Sequence, residues 1–183
     1  PSNDTLKKYI GVEGEYILVI TNFLGNHLQG KSWLFTNEED CETEFARNCL
    51  FPVNFDKDFL HKSGLLELSK KYNKKIVIKQ KTRFDDPNYH KNIQYLKEEF
   101  MHNWTGPYEI LTDKGLSIDE VIAKSFIVIS AASTLTFKPI QLKKPTVIIE
   151  GSGQTGNFYD FEGLVPLDKV AIENEIERQI HNG

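Results

Sequence analysis

Short runs of apolar, largely β-branched residues alternate along the chain with longer stretches in which apolar positions recur every three or four residues. That alternation predicts strands joined by crossover helices. Strands are expected at Tyr16 to Thr21, Lys75 to Lys79, Phe126 to Ser130 and Thr146 to Glu150. A weaker run covers Tyr108 to Leu111, and Gly163 to Val165 reads as a last short strand. The runs are apolar at successive positions, as strands covered on both faces must be. The expected fold class is therefore α/β: a Rossmann-like open sheet of about five or six mostly parallel strands with helices on both faces.

The intervening stretches read as helices. Asn37 to Asn48 carries Glu38, Glu39, Asp40 and Glu42 in its first turns, where acids favour the positive end of a helix dipole. Asp56 to Tyr72 has Asp56 as a candidate N-cap and an apolar face of Phe59, Leu60, Leu65, Leu66 and Leu68. Pro87 to His102 opens on a proline suited to a first turn and spaces Tyr89, Ile93, Leu96 and Phe100 along one face. Ser117 to Lys124 carries a capping box, Ser117 with Glu120 three residues on. A helix is expected after Ser133, where Pro139 should kink or shorten it. The last helix, Leu167 to Ile180, is expected to bury Val170, Ile172, Ile176 and Ile180. No repeat, low-complexity tract or linker interrupts the pattern, so residues 1–183 read as a single domain.

Composition narrows the classes. With 39% hydrophobic and 26% charged residues the chain can build a core beneath a solvated surface, which excludes a disordered chain. A net charge of −4 speaks against a general nucleic-acid binder, which carries a basic excess. Cys41 and Cys49 are too few for a disulfide framework, and no Cys/His cluster suggests zinc. The longest apolar run, Tyr16 to Ile20, falls far short of the roughly 18 residues that span a bilayer, so no transmembrane segment is expected. The chain opens on Pro1 with no signal peptide, which suggests a cytoplasmic domain and a processed or excised piece.

In an open parallel sheet ligands bind beyond the carboxyl ends of the strands. Asn22 and Asn26 follow the first strand with Gly25 and His27, and offer side-chain amides to a ligand or to their own turn. Lys79, Lys81 and Arg83 place three cations at the end of the second, suited to phosphate, or to a solvated basic loop balanced by Asp85 and Asp86. Ser130, Ser133 and Thr134 surround Ala131 and Ala132, small residues that let a ligand approach a helix start. Glu150 and Gly153 lie in a glycine-rich loop with Glu162 beyond it; a carboxylate there can accept sugar hydroxyls. That loop lacks the Gly-Lys-Ser/Thr of a phosphate-binding loop, and its Gly-x-Gly-x-x-Gly spacing at 151–156 opens no helix. No Gly-x-Ser-x-Gly supports nucleophilic catalysis. Of the histidines, His61, His90, His102 and His181 fall in helices or the tail, leaving His27 as the one near a strand end.

The succession of strand, basic loop, long helix and short strand leads to Ser117 to Ser125, then Phe126 to Thr134, then Leu142-Lys143-Lys144-Pro145-Thr146-Val147-Ile148. It resembles the C-terminal half of GT-B-type glycosyltransferases, in particular enzymes of bacterial surface-polysaccharide, capsule and teichoic-acid synthesis. Ile17 to Phe23 is similar to the first strand and loop of that domain, so the resemblance spans residues 16 to 165. It implies that Ser133 and Thr134 hold the phosphates of a nucleotide-activated sugar or polyol donor. Lys81 and Thr82 stand where many members have His-Pro, with Arg83 at the following polar position, and Ala131 stands where an acid often precedes the hydroxyl pair. No metal and no cofactor is expected, because no Asp-x-Asp pair ends a strand.

Such enzymes use two Rossmann-like domains, the N-terminal one binding acceptor and usually supplying the base. The resemblance thus implies an excised or stand-alone nucleotide-sugar-binding half whose partner is an acceptor-binding domain or second chain. The expected location is the cytoplasm, extending to the inner membrane face. Catalytic residues are not assigned, and whether the chain is itself an enzyme stays open. Two other readings stand beside this one: a non-enzymatic Rossmann-like assembly module, and a small sugar-nucleotide epimerase-like enzyme with its own acid and base.

Overall fold

The computed structural model describes residues 14–21, 62–80, 89–112, 115, 117–131, 135, 137–149, 164–166 and 168–182. Six strands form one sheet: β1 Tyr16–Thr21, β2 Lys75–Gln80, β3 Tyr108–Ile110, β4 Ser125–Ala131, β5 Thr146–Ile149 and β6 Leu164–Val165. Their order is β3-β2-β1-β4-β5-β6 and every neighbouring pair is parallel. This is a doubly wound α/β sheet of Rossmann-like order, and the strands fall where the apolar runs placed them. Around it lie α1 Leu65–Tyr72, α2 Tyr89–Tyr95 continued by a π-helical turn Leu96–Phe100, α3 Ile118–Lys124, α4 Phe137–Gln141 and α5 Lys169–Asn182.

Two apolar layers hold the sheet. The larger joins Ile17, Val19, Ile76, Ile78, Ile127, Ile129, Val147, Ile149 and Val165 to Leu65 and Leu68 of α1, Leu96 and Met101, and Ile172 and Ile176 of α5. The smaller, on the opposite face, joins Tyr16, Leu18, Ile20, Val77 and Val128 to Val121 and Ile122 of α3. Because both faces are covered, Tyr16 through Ile20 are all buried.

One irregularity sets the register at the centre. Tyr16 pairs with Ser125 but Ile17 pairs with Ile127, so Phe126 is an extra residue in β4. The bulge turns Phe126 to the same side as Ile127, into the larger layer, where its ring lies 5.2 Å from that of Tyr72. Lys74 Nζ sits 5.3 Å above the Phe126 ring and donates to the Gly14 carbonyl at 2.6 Å. Gly14 meets the bulge at such close quarters that an added Cβ would lie 2.2 Å from the Ser125 carbonyl carbon and oxygen.

Several expectations need correction. The helix foreseen over 56–72 is interrupted: Gly64 has φ 69° and α1 begins only at Leu65, while Asp56, Phe59 and Leu60 lie outside the described residues. The helix foreseen over 37–48 also lies outside them. The α2 helix widens to a π turn, with Met101 N–H donating to the Leu96 carbonyl at 3.0 Å, which carries both Leu96 and Met101 into the core. Pro139 is no kink. The helix begins at Phe137, so Pro139 stands in its first turn, where a missing N–H costs nothing, and it is buried. Val170 was expected inside but is 62% exposed, because α5 turns its buried stripe on Ile172 and Ile176. Ser117 caps α3 as expected, Glu120 N–H donating to Ser117 Oγ at 3.1 Å.

The last helix is fastened by polar contacts as well as by its two isoleucines. Gln179 accepts from Thr146 N–H and donates to the Thr146 carbonyl, both at 2.6 Å, mimicking a strand partner at the start of β5. Glu177 accepts from Lys71 Nζ at 2.5 Å and from the Tyr72 hydroxyl, and contacts His181 Nε2 at 3.0 Å. The Lys71 and Tyr72 donors hold the Glu177 carboxyl down at about 2. Burial, with the Glu177 carboxylate beside it, pushes the Tyr72 phenol up to about 12.

Two measurements check this account. Gly14→Ala is expected to lower stability by about 3 kcal/mol in urea unfolding, since backbone must move to admit the methyl. Gly106→Ala, whose Cβ would meet the Trp104 side chain at 3.2 Å, is expected to cost under about 1 kcal/mol. Equal losses would remove the special role of the Gly14 approach. A carboxyl depressed on folding contributes stability above its unfolded pKa that is lost as pH falls through the folded one. For Glu177 that window runs from 4.5 down to about 2, so Glu177→Gln should flatten the fall of the urea midpoint between those values. An unchanged acid limb would show that the contacts to Lys71 and Tyr72 add nothing.

Candidate functional site

The strand order reverses between β1 and β4, because β2 and β3 extend the sheet on one side and β5 and β6 on the other. At such a switch point the connections after the two central strands leave in opposite directions and open a crevice beyond their carboxyl ends. Here the crevice lies past Thr21 and Ala131. Near these strand ends Ile20 pairs with Lys79 on one side and with Ser130 on the other, and Ser130 pairs in turn with Ile148. In a parallel sheet residues in register project to the same face, so Lys79, Ile20, Ser130 and Ile148 form one row across four strands. It is the last described row on the face of the smaller apolar layer.

The row preceding it, Val77, Leu18, Val128 and Thr146, holds three buried aliphatic residues and the buried Thr146. The change on moving one row toward the crevice is abrupt. Lys79 replaces an aliphatic residue and Ser130, only 1% exposed, replaces another, with Ile20 between them at 2% exposure. Lys79 is half-buried, and burial pulls its pKa below that of an exposed lysine.

Of the residues singled out in the sequence, the structure thus brings Lys79 and Ser130 into one row on either side of Ile20. Asn22, Asn26, Lys81, Arg83, Ser133, Thr134, Glu150 and Gly153 lie outside the described residues, as do His27 and Glu162. The chain positions of Asn22 and Lys81 follow directly from the ends of β1 and β2. The described helix α4 starts four residues beyond Ser133 and has only five residues, so no N-terminal anion site is assigned to it. What sequence reasoning did not find is the buried place of Ile20 between the two polar positions. No local signal marks it, because its place depends on the register of three strands and on the bulge at Phe126. Among the described residues no three His, Cys, Asp or Glu side chains come together as a metal site. No helix among them is long and apolar enough to cross a membrane.

No family model matches the chain, and no curated protein matches it. Among solved structures it is similar to the UDP-GlcNAc 2-epimerase of Methanocaldococcus jannaschii, determined in complex with UDP-GlcNAc and UDP, at 12% identity and a TM-score of 0.49. The match covers 98% of this chain and 42% of that one, so the chain spans less than half the length of that structure.

The half-buried lysine supplies a test of the row. A lysine whose pKa is lowered on folding carries a penalty while charged, and the penalty disappears as pH rises through its folded value toward 10.5. Lys79→Met is therefore expected to keep or raise the urea midpoint at neutral pH, with the advantage shrinking at alkaline pH. A midpoint that falls at every pH would make Lys79 a structural residue of the sheet and remove it from the candidate site.

Proposed function

We propose that the chain is a nucleoside-diphosphate-sugar-binding domain, the donor half of a glycosyltransferase of surface-polysaccharide synthesis. The observation that carries the reading is the polar row at the crevice, Lys79 and Ser130 flanking Ile20 beside the switch point of a 3-2-1-4-5-6 sheet. A buried row that turns from aliphatic to cationic at a strand's carboxyl end suits an anionic ligand held over an apolar floor. The sequence adds Lys81 and Arg83 directly after β2, and Ser133 and Thr134 shortly after β4.

In this reading the work of the domain is electrostatic. Transfer of a sugar from its donor leaves a nucleoside diphosphate whose charge grows as the glycosidic bond breaks. Cations fixed in a poorly solvated crevice stabilise that developing charge more than they stabilise the intact donor, which lowers the barrier. Lys79, Lys81 and Arg83 are the groups proposed for this role. Ser133 and Thr134 are proposed to donate hydrogen bonds to phosphate oxygens, and Asn22 and Asn26 to contact the donor from the β1 side. Glu150 and Gly153 are proposed to face its sugar and ribose hydroxyls. The base that activates the acceptor belongs to an acceptor-binding domain or partner chain.

The test is a thermal-shift screen against UDP, CDP, GDP, CMP and their sugar conjugates. A ligand that binds only the folded chain stabilises it by about 2.7 kcal/mol at 100 times its dissociation constant. One nucleoside diphosphate is expected to raise the melting temperature, and Lys79→Met, Arg83→Ala and Ser133→Ala are each expected to reduce that rise. No shift with any nucleotide would overturn the donor-site reading. A shift that survives all three substitutions would place the ligand elsewhere on the domain.

A further inference from the structure

We draw no further inference here: the strongest candidate, the groove between α1 and α5 lined by Gly64, Glu67, Leu68, Lys71, Lys169 and Glu173, has its charged side chains half-exposed and paired across it, Lys169 with Glu67 and Lys71 with Glu173, and nothing in the structure shows what covers it.

Discussion

The parallel pairing of β1 with β4 is the constraint on which the rest of the structure depends. It joins the two halves of the sheet, and the switch point exists only because these strands are neighbours. Their first contact is also the tightest, with Gly14 against the Ser125 carbonyl and Glu15 N–H donating to the Lys124 carbonyl at 2.8 Å. The bulge at Phe126 then corrects the alternation by one residue. Without it Ile127 and Ile129 would exchange faces with Val128 and Ser130, and the larger apolar layer would receive a serine in place of an isoleucine. The same bulge therefore decides both which residues form the core and which meet at the crevice.

The larger layer is apolar through Ile78, Ile129 and Ile149, and its strands β1 and β2 also end on a polar pair, Thr21 with Gln80. The smaller one stays apolar through Val77, Leu18 and Val128 and then changes character at Lys79 and Ser130. A sheet selected for stability alone would have continued with valine or isoleucine, each contributing about 1.5–3 kcal/mol on burial. A half-buried ammonium does the opposite.

Much of this architecture was legible in the chain itself. Strands buried on both faces announce themselves as continuous apolar runs, and the cap at Ser117 follows from two residues three apart. What escaped was what depends on distant partners. The break at Gly64, the π turn after Tyr95 and the outward turn of Val170 each result from how a helix meets the sheet. Helix periodicity alone also misplaced Pro139, because the start of α4 lies after Ser133 and its small neighbours, where local sequence carries little signal. Lys79 and Ser130 were singled out separately, as the ends of two strands. Their place on either side of Ile20 was not visible, since 50 residues and a bulge intervene between them.

That separation limits what can use both. Lys79 and Ser130 stand on strands two places apart, so their backbones are about 10 Å from one another, with β1 between them. The lysine stem closes part of the span, yet a single small anion above Ile20 would leave one side of the row unused. The nucleoside-diphosphate sugar proposed above is extended and carries anionic and hydrogen-bonding groups at more than one point. The row resisted detection in the sequence because its parts come from strands that the chain reaches far apart and the sheet places two steps from each other.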